Sequence, residues 1–142
     1  MTKRIRRRRG FTLMEILLVL AILVILGSLV TVGYVQIKKN ADIDAAKTQI
    51  RMLEEAVGQY QLHVGKFPSG DQGLESLRIQ PPDAPAGKWR GPYLAREVPL
   101  DPWNNPYVYQ EMQDQLGQPS FEIMSNGPDG ASGTPDDVRL PK

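Results

Sequence analysis

The sequence predicts an α+β fold, in which one long N-terminal helix packs on a small antiparallel β-sheet with long loops. Three observations support this prediction. No proline lies between Phe11 and Phe67, which allows one uninterrupted helix over this stretch. Two short segments of alternating residues near the C-terminus are typical of strands. Most of the 12 prolines and 13 glycines follow Gly65, which indicates a loop-rich second half.

A basic cluster opens the chain. Of the 17 basic residues, six precede Gly10, so the remaining 11 face 16 acidic residues and give a net charge of −5. We therefore assign residues 1–10 to a cytoplasmic leader peptide with a targeting role. The acidic remainder lacks the basic patch of a nucleic-acid-binding protein, and we expect no nucleic-acid partner.

Residues 11–33 form the transmembrane half of the predicted helix. Every residue from Ile16 to Leu26 is apolar, and the run resumes from Leu29 to Val32. At a rise of about 1.5 Å per residue, roughly 20 residues span the core of a bilayer. Because the basic leader flanks the N-terminal end, the positive-inside rule keeps that end in the cytoplasm. The sequence thus predicts a single-pass inner-membrane protein with a periplasmic C-terminal domain.

Two common export signals fit this segment less well. A secretory signal peptide has an apolar region of about 7–15 residues and an A-x-A-like cleavage site, whereas the run here is longer and carries an acid, Glu15, at its start. A twin-arginine signal is only loosely similar to residues 8–13. The third possibility is cleavage on the cytoplasmic side, between Gly10 and Phe11, which leaves the apolar helix on the mature chain.

The stretch RGFTLMEILLVLAILVILGSL, residues 9–29, resembles the N-terminus of type IV pilins and pseudopilins. In that family a prepilin peptidase cuts after the glycine and methylates the new N-terminal residue. The resemblance implies processing between Gly10 and Phe11 and an assembly role for Glu15, whose carboxylate attracts the Phe11 amine of a neighbouring subunit. A charge within a bilayer costs roughly 2.5–3.5 kcal/mol and usually finds a partner. Alternatively, Glu15 lies at headgroup level and favours the helix dipole.

Residues 34–64 form the amphipathic half of the same helix. Apolar residues recur there at spacings of three and four, which defines one helix face. We predict that the helix runs from about Phe11 to about His63. We also expect this face to pack on the chain's own globular domain, because three heptads are few for a coiled coil. The face consists of Ile43, Ala46, Ile50, Leu53, Val57, Tyr60 and Val64.

Residues 65–142 are predicted to form a periplasmic, loop-rich β domain. A short helix is expected over Gln72–Leu77, before a proline-rich loop. Strands are expected over Tyr107–Glu111 and Ser120–Met124, and a third short strand over Asp137–Leu140. The three segments together predict a small antiparallel sheet laid against the exposed half of the long helix.

The loop-rich stretch from residue 89 to residue 107 restricts the resemblance to one branch of this family. Residues 89–94 read WRGPYL, residues 98–99 read VP and residues 101–107 read DPWNNPY, an order similar to that in the major pseudopilins of the type II secretion system. The resemblance implies a structural subunit that assembles with itself, with minor pseudopilins and with an inner-membrane assembly platform. Such a filament helps to push folded proteins through the outer membrane. We expect Trp89 and Trp103 to cover a core rather than to contact a ligand.

A type IV pilin for adhesion, motility or DNA uptake is the alternative. Such pilins commonly carry a disulfide in their C-terminal region, and this chain has no cysteine. A membrane-anchored enzyme is a third class, but the sequence offers no nucleophile–base arrangement, since it contains no cysteine and a single histidine. We therefore expect no enzymatic activity.

An acidic loop over residues 126–137 reads NGPDGASGTPDD. Ca²⁺ takes about six to eight oxygen ligands, and a glycine-rich loop can fold several carboxylates around one ion. A plain solvated turn is the alternative on composition alone. The resemblance implies a calcium-binding loop at this position, followed here by an ending, VRLPK, that departs from the family's pattern. The implied ligands are Asp129, Asp136, Asp137, Asn126 and Ala131.

Overall fold

The computed structural model describes residues 10–141, except for the side chains of residues 29–33. It confirms the predicted α+β fold. In chain order the elements are helix α1 (Leu13–Val64), a 3-10 helix (Gly73–Leu77), and strands β1 (Val108–Gln113), β2 (Pro119–Ser125) and β3 (Val138–Arg139). The chain divides into two compact units between residues 39 and 40. Residues 1–9 of the predicted leader lie outside the described residues.

Both ends of α1 are capped. At the start, the Thr12 hydroxyl accepts a hydrogen bond from the backbone N–H of Glu15 at 3.2 Å, as an N-cap residue does. At the end, Gly65 has a φ of +89° and donates its N–H to the Gln61 carbonyl at 2.8 Å. Glycine adopts this left-handed conformation without a steric penalty and so ends the helix. The helix begins two residues later and ends one residue later than the sequence predicts.

The first part of α1, residues 13–39, belongs to the first unit and keeps its described large apolar side chains on the surface. The large apolar residues from Leu13 to Leu26 are between 46% and 82% exposed. Within the described residues, no helical stretch combines the length and the hydropathy that crossing a bilayer requires. The predicted transmembrane span, residues 11–33, includes residues 29–33, whose side chains lie outside the described part of the chain. The span therefore stays a prediction.

The second part of α1, residues 40–64, belongs to the second unit and buries the predicted apolar face. From Ala46 to Val64 the residues of this face are at most 6% exposed, and Ile43 lies at its edge. Full burial of each larger apolar side chain contributes about 1.5–3 kcal/mol. The face therefore packs on the chain's own domain, as predicted. The buried cluster comprises Ala46, Ile50, Leu53, Ala56, Val57, Tyr60, Val64, Leu74, Leu77, Tyr107, Ile123 and Val138.

The three strands form one antiparallel sheet in the order β1–β2–β3. Because side chains alternate along a strand, Ile123 and Ser125 of β2 point to the same face, and both are buried. Ser125 pairs with Val138 of β3. Strand β3 has only two of its four expected residues. At its start, the N–H of Asp137 bonds to the Thr134 carbonyl within the preceding loop, which keeps Asp137 out of the sheet.

Trp89 and Trp103 lie partly buried over the core, as predicted. The Trp89 indole N–H donates to the Ser76 carbonyl at 3.1 Å, and its ring contacts Tyr93 edge-to-face with centroids 5.8 Å apart. Tyr93 also packs on Tyr60 of α1 at a centroid distance of 5.7 Å. Aromatic side chains thereby attach the proline-rich loop to the helix.

Candidate functional site

The residues predicted for processing lie in exposed backbone just before α1. Gly10 and Phe11 precede the helix, and Phe11 is 78% exposed. Glu15 is exposed in the first turn of α1, where a carboxylate interacts favourably with the positive end of the helix dipole. The peptide bond between Gly10 and Phe11 is therefore outside regular secondary structure, and the cleavage there stays a prediction.

The acidic loop joins β2 to β3 and brings two of its three aspartates together. The Asp136 carboxylate accepts the backbone N–H of Asp129 at 3.4 Å, and the Asp129 carboxylate accepts the N–H of Ala131 at 2.8 Å. The Thr134 hydroxyl donates to Asp136 at 2.6 Å, and this bond is the main cause that lowers the pKa of the Asp136 carboxyl. Hydrogen bonding thus favours the charged form of Asp136 beside Asp129.

The third aspartate, Asp137, has a cation of the same chain as its partner. Its Oδ2 atom accepts the N–H of Gly133 at 2.9 Å and lies 3.1 Å from the Arg139 guanidinium. The Asp137 side chain is only 3% exposed, whereas that of Arg139 is 48% exposed. Arg139 belongs to the ending that departs from the family's pattern, and its charge offsets part of the negative charge of the loop.

Neutral oxygen atoms lie beside these carboxylates. The Oδ1 atom of Asn126 is buried and has no hydrogen-bond partner among the described residues, while its Nδ2 atom donates to the Gly130 carbonyl at 3.3 Å. An unpaired buried acceptor costs about 1–3 kcal/mol, which a cation would offset. Ala131 is exposed, and its carbonyl oxygen lies 3.3 Å from the Thr134 hydroxyl, whose proton is donated to Asp136. The predicted oxygen donors are therefore present in one loop.

The donor set fits a hard cation in chemistry but is not assembled around one point. In the part of the chain that the structure describes, no group of three or more Asp, Glu, His or Cys side chains is placed to hold a metal ion. All five predicted ligands offer oxygen atoms, which is the ligand type that Ca²⁺ takes. The loop thus provides suitable ligands, and the structure brings Asp129 and Asp136 together while Asp137 faces Arg139.

Gly127 allows the two ends of the acidic loop to approach each other. Its φ is +67°, and a Cβ atom built on it would lie 2.4 Å from the Asp136 carbonyl oxygen and 2.9 Å from the Asp136 carboxylate. Real Cβ atoms do not come this close, so any other residue would displace the backbone. Glycine at this position therefore sets the distance between the start of the loop and Asp136.

Sequence reasoning missed a buried polar cluster beneath the acidic loop. Asp101 is 5% exposed and Ser125 is fully buried. The Ser125 hydroxyl donates to Asp101 Oδ2 at 2.5 Å and accepts the N–H of Gly127 at 3.1 Å. The Asn105 amide donates to the Gly127 carbonyl at 3.0 Å. The aspartate and asparagine of DPWNNP were the available signal, but only the tertiary structure brings this turn against β2.

Known proteins show similarity to almost the whole chain. A family model described as Type II secretion system (T2SS), protein G matches residues 34–140, and one described as Prokaryotic N-terminal methylation motif matches residues 5–31. The type II secretion system core protein G of Aeromonas hydrophila is 39% identical over 134 residues, which cover 94% of this chain and 92% of the relative. The protein of the same description from Vibrio cholerae is 37% identical over 137 residues, covering 96% and 93%.

A solved structure supports the same assignment. The crystal structure of the major pseudopilin from the type 2 secretion system of enterohaemorrhagic Escherichia coli aligns with a TM-score of 0.58 and 31% identity. The alignment covers 71% of this chain and 83% of that chain. The resemblance inferred from the WRGPYL and DPWNNPY segments is thus confirmed. The chain belongs to the protein G family of the type II secretion system, the family of its major pseudopilin.

Proposed function

We propose that this chain is the major structural subunit of a type II secretion pseudopilus, and that it assembles with copies of itself into a helical filament. Growth of this filament helps to push folded proteins through the outer membrane. The observation that carries the proposal is the match to the protein G family over residues 34–140. The exposed apolar surface of the first part of α1 supports it, because such a surface needs lipid or other helices to cover it. The role is structural, without catalysis.

Before assembly, the chain crosses the inner membrane once, with its N-terminus in the cytoplasm and its β domain in the periplasm. A prepilin peptidase removes residues 1–10 and methylates Phe11. The methylation motif over residues 5–31 and the basic leader support this topology. Minor pseudopilins and the inner-membrane assembly platform are the further partners of the mature subunit.

Glu15 guides assembly by attracting the Phe11 amine of a neighbouring subunit. Its position in the first exposed turn of α1 supports this role, because the carboxylate is available to another chain. The pairing would compensate a charge that is costly within a bilayer.

The acidic loop binds Ca²⁺ through Asp129, Asp136 and Asp137 together with oxygen atoms of Asn126 and Ala131. Two observations support this role: the buried oxygen of Asn126 has no partner among the described residues, and the backbone of Asp129 is hydrogen-bonded to the Asp136 carboxylate. The bound ion supplies positive charge that offsets the repulsion between the carboxylates and holds the loop between β2 and β3. It stabilises the folded chain by mass action, and this chain has no cysteine for a disulfide.

Deletion of the gene tests the secretion role. We expect secreted proteins to disappear from the medium and to accumulate in the periplasm, while surface pili persist. Protein mass spectrometry of medium and periplasm, with electron microscopy of the cells, measures both. Intact secretion with loss of surface filaments or motility would instead identify a type IV pilin.

Thermal unfolding tests the calcium role. Substitution of Asp129 by Ala is expected to lower the melting temperature in calcium but not in excess chelator. The matched control is Asp71→Ala, an exposed aspartate outside the loop, which should behave alike in both conditions. An equal loss for Asp129→Ala with and without calcium would exclude a metal role for this residue.

A further inference from the structure

Asp101 is a buried carboxylate that is held by hydrogen bonds. Its Oδ1 atom accepts the backbone N–H groups of Trp103 at 3.0 Å and Asn105 at 2.8 Å, and its Oδ2 atom accepts the Ser125 hydroxyl at 2.5 Å. Removing a carboxylate from water is costly unless such charge-assisted bonds replace the lost hydration. These bonds fix both the turn that follows Asp101 and the last residue of β2.

The fixed turn holds Gly127 at both of its backbone groups. The Gly127 N–H bonds to Ser125 Oγ at 3.1 Å, and Ser125 is itself bonded to Asp101. The Gly127 carbonyl accepts the Asn105 amide at 3.0 Å, and the position of Asn105 is set by its N–H bond to Asp101. Asp101 therefore determines the position of Gly127 through two separate routes, each of which passes through an intermediate side chain.

Gly127 in turn determines where the aspartates of the acidic loop lie. It follows Asn126 directly, precedes Asp129 by two residues and lies in close contact with the backbone of Asp136. A shift of Gly127 would change the separation of Asp129 and Asp136, which are joined by a 3.4 Å hydrogen bond from the Asp129 backbone N–H to the Asp136 carboxylate. The affinity of the loop for an ion depends on this separation.

The β1–β2 hairpin contains a second turn with the same local geometry. Asp114 Oδ1 accepts the N–H groups of Leu116 and Gln118, both at 2.8 Å, which repeats the pattern of Asp101 with residues two and four positions later. A residue of positive φ, Asn104 in one turn and Gly117 in the other, occupies the same place in each. Asp114 is exposed, whereas Asp101 is buried against Ser125. Asp114 is therefore a control for the turn alone.

We propose that Asp101 is a positioning residue for the acidic loop, acting through Ser125, Asn105 and Gly127 on the arrangement that binds a divalent cation. This inference rests on the proposed calcium site. Outer residues that orient metal ligands affect the affinity by roughly 10–100-fold when they are substituted. Asp101 thus affects calcium binding without touching the ion.

Calcium titration of the full chain in detergent tests the proposal. Asp101→Asn removes the negative charge of the carboxylate and keeps the shape of the side chain. We expect the calcium Kd to rise about tenfold or more in this variant. Asp114→Asn should leave the Kd unchanged, although both variants lose some stability in chelator. Isothermal titration calorimetry gives the affinity, and the melting temperatures with and without calcium show that each variant is folded. An unchanged Kd for Asp101→Asn would overturn the proposal.

A second variant keeps the test decisive if Asp101→Asn does not fold. Asn105→Ala removes only the bond to the Gly127 carbonyl and leaves the Asp101 carboxylate with its Ser125 partner. We expect the calcium Kd to rise in this variant too, and an unchanged Kd would again contradict the proposal. If the wild-type chain itself binds no calcium, the calcium site fails as well, which distinguishes that result from failure of the positioning role alone.

Discussion

The two parts of helix α1 contain similar side chains in opposite environments. Leu17 and Leu23 of the first part are 53% and 59% exposed, whereas Ile50 and Leu53 of the second part are at most 1% exposed. In the second part the apolar residues are confined to one face, and the chain's own β domain covers that face. In the first part they surround the helix. One part therefore stabilises its own chain, while the other leaves an exposed apolar surface, which the proposed function assigns to lipid and neighbouring subunits.

Removal of a charge should have its largest effect in the first part. We predict that Glu15→Gln abolishes self-assembly and secretion, because the neighbouring Phe11 amine loses its partner. Glu55→Gln is the matched control, since Glu55 is exposed on the second part of the same helix, and it should leave both intact. Cross-linked oligomers in membranes and secreted proteins in the medium report the outcome. Normal assembly of Glu15→Gln would exclude the pairing.

Truncation of a leucine should lower the folding stability in the second part of α1 and leave it unchanged in the first part. Leu53→Ala is expected to lower the free energy of unfolding by about 2–5 kcal/mol, because it leaves a cavity in the core. Leu23→Ala removes the same atoms from an exposed position, so the β domain should unfold at an unchanged denaturant concentration. Fluorescence of Trp89 and Trp103 during urea unfolding in detergent measures both. Similar losses in the two variants would show that the two parts of α1 stabilise the domain together.

Alkaline pH should lower the stability of the β domain, which packs on the second part of α1. Burial raises the pKa values of Tyr107 and Tyr109 above the ordinary value of 10.0, because it disfavours the charged phenolate. The stability that these two neutral side chains contribute is complete below about pH 10, and it is lost as the pH rises toward the folded-state pKa values. We expect the double substitution to Phe to reduce this loss, whereas Tyr34→Phe, at an exposed residue of the first part, should not. Unfolding curves between neutral pH and pH 11 provide the measurement.

The smallest expected effect is a gain in stability at a helical glycine. A Cβ atom at Gly58 would meet no atom within 4 Å, so Gly58→Ala should stabilise the domain by about 0.5–1 kcal/mol through the lower entropy of the unfolded chain. A Cβ atom at Gly27 of the first part also meets nothing within 4 Å, but Gly27→Ala should not change unfolding of the β domain. A loss of stability in Gly58→Ala would indicate a neighbour that covers this position.

Much of the fold could be predicted because its signals are local. The spacing of apolar residues between Ile43 and Val64 identified the buried face of α1, and the two strands of the hairpin were predicted to within two residues at each end. The start of β3 could not be predicted, because the N–H of Asp137 donates to the Thr134 carbonyl within the loop rather than to a neighbouring strand.

The candidate loop was located from its residues, but its internal arrangement was not. The composition of residues 126–137 identified three aspartates, yet the pairing of Asp137 with Arg139 depends on how the chain turns into β3. The role of Asp101 depends on Ser125, which is 24 residues away in the sequence. Contacts of this range leave no periodic pattern in a single sequence.

The sequence by itself determined the long helix, its two kinds of surface and the identity of the family, because each follows from periodicity or contiguous motifs. Only the tertiary structure decided which polar groups meet beneath the acidic loop. Asp101 is stable as a buried carboxylate only when β2 supplies Ser125 and the turn supplies its N–H groups. Burial and hydrogen-bond satisfaction are properties of the packed chain, and they arise once distant segments are brought together.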